Sequence, residues 1–343
     1  MKVSIIGTTG YGGGELFRLL HHHPLFSIQS VHTTRDEIPL YEEFPHLNGI
    51  TSLKLEHFDA REIAKHSDIV FIAAPSGVSG KLVPAFFGTD IQIIDLSGDL
   101  RLTNGEMYRK WYKHEPVKSS LLDKAVYGLS EWNKEKIIDA KLIANPGCYS
   151  TATLLGLAPV VKEGLIDPDM IIDAKSGVSG AGRSVSKSLQ FSEMNENFRI
   201  YKVNEHQHIP EIEQQLNLWN AGVSSITFNT HLLPITRGIM ATIYVKLTEN
   251  INTDRLIELY NEQYLRSPFV RIRKIGNFPS VKEVSGSNYC DIGLHVDERT
   301  GRLTIVSVID NLMKGAAGQA VQNANLMNGL DEKTGLEFIP MYP

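Results

Sequence analysis

Polar and apolar positions divide the chain into two textures. In the first half, short apolar runs alternate with helix-like stretches. Val3 to Ile6, Ile28 to Val31, Asp68 to Ala73, Ile91 to Leu96 and Leu142 to Ala144 have the Val/Ile-rich character of strands buried on both faces. Between the first two, Glu15 to His23 places Leu16, Leu19 and Leu20 on one side of a helix that Pro24 stops. This alternation predicts a parallel sheet covered by helices on both faces, an α/β arrangement. Later strands are expected at Met170 to Ala174, Ser225 to Asn229, Met240 to Leu247, Val270 to Ile275 and Arg302 to Ile309. Helical patterns at Glu211 to Trp219 and Thr253 to Tyr264 lie between them, so an α+β unit with a mixed or antiparallel sheet is expected. A final helical pattern, Gly315 to Leu326, is expected to return to the first domain.

The length of 343 residues exceeds what one hydrophobic core usually serves, which agrees with two domains. A formal net charge of -5 with no basic block argues against a nucleic-acid partner. No apolar run approaches the roughly 20 residues needed to span a bilayer. Met1 to Gly7 lacks the charged leader and cleavage site of an exported chain, so a cytoplasmic, unprocessed protein is expected. The two cysteines, Cys148 and Cys290, need no bridge in a reducing compartment.

Gly7-Thr8-Thr9-Gly10-Tyr11-Gly12-Gly13 follows the first strand and opens a helix, the context of a dinucleotide-binding turn. Gly7, Thr9, Gly10, Tyr11, Gly12 and Gly13 are therefore cofactor candidates, with backbone N–H groups and the helix terminus approaching a pyrophosphate. At the end of the second strand an NAD site usually has Asp or Glu. Here Thr34 and Arg35 stand there instead and suit a 2′-phosphate, with Asp36 and Glu37 acting against it. The turn after the third strand adds Pro75 and Ser76.

Asn145-Pro146-Gly147-Cys148 lies between a strand and an apolar helix from Ala152 to Val161. This puts Cys148 in a helix's first turn, where free N–H groups and the macrodipole favour the reactive thiolate. Cys290 reads as a small buried residue. A proton-moving partner is offered by His206 or His208 in His206-Gln207-His208-Ile209-Pro210-Glu211-Ile212. No further His/Cys set with metal spacing lies near that pair, so no metal is expected. His21-His22-His23 reads as the polar end of the first helix.

With these elements in this order, the chain resembles the N-acetyl-gamma-glutamyl-phosphate reductases of the semialdehyde dehydrogenase superfamily. The resemblance runs essentially full length. It includes Asp95 to Leu102, Ser176 to Arg183, Pro234 to Gly238 and Asp310 to Asn325. Gly98, Leu100 and Gln207 depart from the usual pattern, which has Ala, Phe or Tyr, and Arg or Lys there. The resemblance implies a Rossmann domain at 1–147, a catalytic and dimerisation domain at 148–310, and a returning segment at 311–343. It also implies NADP(H), a small acyl-phosphate substrate and a homodimer or homotetramer. Cys148 would be the nucleophile and His208 the acid/base, with His206 a second candidate or substrate contact. Arg101, Arg183 and Arg237 would meet the substrate's phosphate or carboxylate. Ser179 and Gly180 would supply donors to substrate or cofactor, and Asn311 a nicotinamide-side contact. Aspartate-semialdehyde dehydrogenases and reductases of carrier-bound acyl phosphates share much of this pattern. A catalytically silent NADP-binding protein would lack the cysteine or its proton partner.

Overall fold

The computed structural model describes residues 1–33, 37–223 and 225–342. The chain forms two compact units. The first runs Met1–Pro146 and Ala316–Glu337; the second runs Gly147–Gly315 and takes in Phe338 and the described residues after it.

In the first unit, β1 (Lys2–Ile6), β2 (Ser27–Thr33), β3 (Leu55–His57), β4 (Ile69–Ile72), β5 (Gln92–Asp95), β6 (Val126–Tyr127) and β7 (Leu142–Ala144) build one sheet. Its order is β3-β2-β1-β4-β5-β7-β6, and every pairing is parallel. All four residues of β4 and all three of β7 are buried, as expected for strands covered on both faces. The first helix spans Tyr11–His21 and so starts earlier than its apolar stripe, because the glycine string itself forms the first turn. His23 is not the solvated basic helix end that the triple histidine suggests. It is 5% exposed, bonds Asn325 Oδ1 through Nε2 (3.1 Å), and accepts Phe26 N–H at Nδ1 (3.0 Å).

The helix Gly318–Met327 belongs to this unit, packed against the helices Ser130–Ile138 and Tyr11–His21. All ten of its residues are buried, including Gln319, Gln322, Asn323 and Asn325. Their amide N–H groups are bonded internally: Gln319 and Asn323 donate to the Gly128 carbonyl (2.9 and 2.8 Å), and Asn325 donates to the Thr334 carbonyl (2.9 Å).

The second unit is built on a mixed sheet of β8 (Ile166–Gly177), β9 (Arg199–Tyr201), β10 (Thr227–Leu233), β11 (Ile239–Leu247), β12 (Val270–Ile272), β13 (Cys290–Asp297) and β14 (Arg302–Ile309). The order is β12-β13-β14-β11-β8-β10-β9, with β8/β10 and β12/β13 parallel and the other pairs antiparallel. Along β11, Ile239, Ala241, Ile243 and Val245 are buried and alternate with half-exposed Met240, Thr242 and Tyr244. The helix Cys148–Lys162 packs on β11 and β14, and every residue from Tyr149 to Val161 is buried. Residues 311–315 join this unit rather than the returning segment, because the Asn311 amide is bonded to Gly238 and Ser179. The chain end joins it too, through Met341 N–H to the Ser285 carbonyl (2.8 Å).

Candidate active site

The first unit carries the dinucleotide candidates. A Cβ at Gly13 would lie 2.4 Å from the Gly7 carbonyl oxygen, so only glycine lets the helix start against the turn; a Cβ at Gly12 would meet nothing within 4 Å. The helix has no side-chain N-cap and no acidic residue in its first turn. Uncapped N–H groups beside open glycine surface fit a pyrophosphate. Tyr11 is 41% exposed on that first turn. The neighbouring loop is ordered by Asp99, whose carboxylate accepts Gly77 N–H (2.8 Å), Gly80 N–H (2.7 Å) and the Tyr108 hydroxyl (2.6 Å). Ser76 Oγ accepts Gly98 N–H (3.2 Å), and Pro75 is exposed. Gly98 has a packing reason: the Tyr112 ring would sit 2.1 Å from any Cβ there. Thr34 and Arg35 lie outside the described residues. Arg101, expected at a substrate anion, is 7% exposed and donates to the carbonyls of Asn145 and Leu96 (both 2.8 Å).

The second unit holds the candidate nucleophile. Cys148 is the first residue of its helix, with Gly147 as N-cap and no side-chain cap. It forms no disulfide and is of intermediate exposure, whereas Cys290 is buried beside Ser307 Oγ (3.4 Å). The turn is fixed from below by Glu211, a 1% exposed carboxylate that accepts Gly147 N–H (2.8 Å). It is fixed from the side by Gly315, where a Cβ would lie 2.7 Å from the Cys148 Cβ. Gly315→Ala is therefore expected to push the sulfur out of position. A shift approaching 1 Å lowers kcat about 100-fold, while thermal stability falls by about 1–3 kcal/mol. Steady-state kinetics and a melting curve check this, and wild-type kcat in the alanine variant would contradict it.

Tyr149 connects the cysteine turn to the histidines. Its ring lies edge-on to His206 (5.2 Å, 84°) and 6.1 Å from His208. Its hydroxyl is 3.0 Å from the Tyr201 hydroxyl. Burial above all, and also the charge of Cys148, push both phenols upward in pKa. Before the histidines the chain turns through Lys202 (φ 46°) and Asn204 (φ 52°), left-handed conformations held by Asn204 Oδ1 accepting Phe228 N–H (2.9 Å).

The two imidazoles, 4.6 Å apart, have different environments. His206 is 4% exposed, and its Nδ1 accepts His208 N–H (3.2 Å), which leaves its proton on Nε2. Burial, reinforced by His208 and Lys202 and opposed by Glu211, pushes its pKa down to about 2. His206 is thus a neutral donor and does not carry a proton load at ordinary pH. His208 stands at the N-cap of the helix Ile209–Trp219. The neutrality of His206 has two measurable consequences. Its ring resonances should not titrate between pH 5 and 8. His206, His23 and His32, all lowered mainly by burial, bind protons below about 6.5 less readily in the folded state than in the unfolded one. That weaker binding in the folded state makes stability fall as pH drops below this point. Asp95, raised to about 6 chiefly by burial, opposes the trend between its unfolded value and 6. The denaturant midpoint should be lower at pH 6 than at pH 7.5, and a higher one would contradict this assignment.

A second cluster lies at the ends of β8 and β14. Ser179 N–H donates to the Thr236 carbonyl (3.1 Å), and its Oγ accepts Asn311 Nδ2 (3.0 Å). Asn311 Oδ1 accepts Gly238 N–H (2.7 Å). At 2% exposure, Asn311 ties two segments together. Arg237, 24% exposed, pairs with fully buried Asp310 (3.4 Å). Gly180 and Arg183 are on the exposed stretch that follows Ser179. Among the described residues there is no group of three or more side chains able to hold a metal, and no helix long and apolar enough to cross a membrane.

Family models for the semialdehyde dehydrogenase NAD-binding domain and dimerisation domain match residues 2–140 and 148–311. N-acetyl-gamma-glutamyl-phosphate reductases from Geobacillus kaustophilus and Bacillus cereus are 57% and 54% identical to the chain, each over 100% of both sequences. The chain belongs to the N-acetyl-gamma-glutamyl-phosphate reductase family. Like other semialdehyde dehydrogenases, this reductase-family chain shares its fold with aspartate semialdehyde dehydrogenase II from Vibrio cholerae. That match has a TM-score of 0.72 at 18% identity, covering 96% of this chain and 98% of that one. An aspartate semialdehyde dehydrogenase from Candida albicans, solved with NADP, matches with a TM-score of 0.66 at 14% identity over 95% and 98%. Sequence reasoning assigned no role to Glu211, Tyr201, Asp310 or Gly315 in this family member. Glu211 had one legible signal, an acidic residue in a helix's first turn; the others are found only through their contacts.

Proposed function

We propose that the chain reduces N-acetyl-gamma-glutamyl phosphate with NADPH to N-acetyl-glutamate 5-semialdehyde and phosphate, through a thioester on Cys148. The supporting observation is the seating of Cys148: a part-exposed cysteine outside any disulfide, first in a helix with a glycine N-cap, its turn bonded to Glu211 and its neighbour Tyr149 against both imidazoles. The Cys148 sulfur attacks the acyl carbon, the C–S bond forms, and the C–O bond breaks as phosphate leaves with the electron pair. His208 takes the thiol proton in this step. It then stabilises the charge on the carbonyl oxygen in the reductive step, before the C–S bond breaks and releases the aldehyde. His206, neutral, donates from Nε2 to the substrate. Arg237 and Arg183 meet its anionic groups, and Ser179 and Gly180 supply further donors. Gly7, Thr9, Gly10, Tyr11, Gly12, Gly13, Pro75 and Ser76 hold the dinucleotide, with Thr34 and Arg35 at its 2′-phosphate. NADPH, when bound, supplies the hydride.

A cytoplasmic homodimer or homotetramer is part of this reading, supported by the matched dimerisation domain. The test is phosphate-dependent NADP reduction with N-acetyl-glutamate semialdehyde, set against aspartate semialdehyde. The first should be oxidised and the second largely ignored. Comparable kcat/KM for both would sink the substrate assignment.

A further inference from the structure

We infer that Asp310 is a positioning residue for substrate binding: it fixes Arg237 and through it sets affinity for an anionic group of the substrate. The inference rests on the reading of Arg237 given above. Asp310 follows β14 and is 0% exposed. A carboxylate removed so fully from water needs donors on both oxygens. Oδ1 accepts Leu312 N–H (2.8 Å) and Met313 N–H (3.2 Å), while Oδ2 accepts Gly286 N–H (2.7 Å) and Arg237 Nη1 (3.4 Å). Three backbone donors therefore lock the carboxylate in one orientation, with one oxygen aimed at the guanidinium.

Of the two paired groups, only Arg237 reaches solvent. Its turn is pinned a second time, since the next residue, Gly238, donates its N–H to Asn311 Oδ1 (2.7 Å). Adjacent residues 310 and 311 thus hold the side chain and the backbone of the 237–238 turn. An arginine with its stem and fork fixed before a ligand arrives loses less freedom on binding, and its planar fork can meet a second anion along another edge. The same segment places Gly315, whose N–H donates to the Asp310 carbonyl (3.0 Å). That bond uses the backbone and survives a change of side chain, so the anion-binding role can be separated from any effect on the nucleophile.

Asp310→Asn keeps the shape but turns an amide donor toward Gly286 and Arg237, or loses an acceptor for Leu312. The experiment compares Arg237→Ala, Asp310→Asn and the double variant in the full chain. It reads kcat, KM for the acyl phosphate, and the pH profile of Cys148 alkylation by iodoacetamide. Each single variant should raise KM about tenfold, the double variant should be no worse than Arg237→Ala, and the alkylation profile should stay at wild type in all three. Wild-type KM in Asp310→Asn, effects that multiply in the double variant, or a displaced alkylation profile would overturn the inference. Should Asp310→Asn fail to fold, Arg237→Ala is assayed with added guanidinium ion. A KM returning toward wild type supports a cation-holding Asp310, and no return contradicts it. If Arg237→Ala keeps wild-type KM, the role of Arg237 fails and this inference with it. If the unaltered chain does not reduce the acyl phosphate at all, the proposed function is what fails.

Discussion

Cys148→Ser should lose at least about 10⁴-fold in reduction rate while binding NADPH as the wild type does. The oxygen of serine is a far weaker nucleophile at neutral pH, and no other described residue replaces the sulfur: Cys290, the first residue of β13, is buried at 0% exposure. The geometry of the turn should survive the change. Gly147 N–H remains bonded to Glu211, and the helix behind it stays anchored by the Tyr260 hydroxyl on the Gly156 carbonyl (2.6 Å). Dinucleotide binding is untouched because the glycine turn belongs to the other unit. Fluorescence titration with NADPH and steady-state turnover read the two quantities separately. Retained turnover would end the covalent mechanism; lost NADPH affinity would mean that the substitution damaged the fold.

The second large effect is expected at the neighbouring imidazole. His208→Asn should lower kcat by about 10² to 10⁴-fold and remove a limb of its pH profile. Asparagine is chosen because position 208 is the N-cap of the helix Ile209–Trp219, a place asparagine fills well, so loss of the helix does not explain the result. His206→Asn should behave differently. His206 is already neutral, so its replacement should raise KM and leave the shape of the profile alone. If His208→Asn has an unaltered profile, His208 is not the proton carrier and the role passes to water.

Much of this was legible in the sequence because it is local. β7 and β14 fall where their apolar runs place them, and Cys148 opens its helix because Pro146 and Gly147 break the strand before it. What was not legible depends on distant partners. β13 was missed because Asp291, Gly293 and His295 interrupt its apolar pattern. Asp291 is nonetheless fully buried there, its charge met by Arg271 (2.6 Å) and Arg273 from β12 and just beyond it. The polar helix Gly318–Met327 hides its core position for the same reason: Gln319 and Asn323 donate to the Gly128 carbonyl, nearly 200 residues away in sequence. In the site, the motif named both histidines but could not tell them apart. Burial and one backbone bond to Nδ1 make His206 neutral, and neither is written in the spacing. Arg101, read in sequence as an anion ligand, also donates to the carbonyls of Asn145 and Leu96, partners that no spacing shows.

The central claim is that carbon becomes bonded to the sulfur of Cys148 during turnover. Run in reverse, with N-acetyl-glutamate semialdehyde and NADP but no phosphate, the cycle should stall after oxidation. One equivalent of NADPH per chain should appear in a single burst, and mass spectrometry should find one acyl group on the peptide containing Cys148. A burst with that peptide unmodified, or steady turnover without phosphate, would contradict the account.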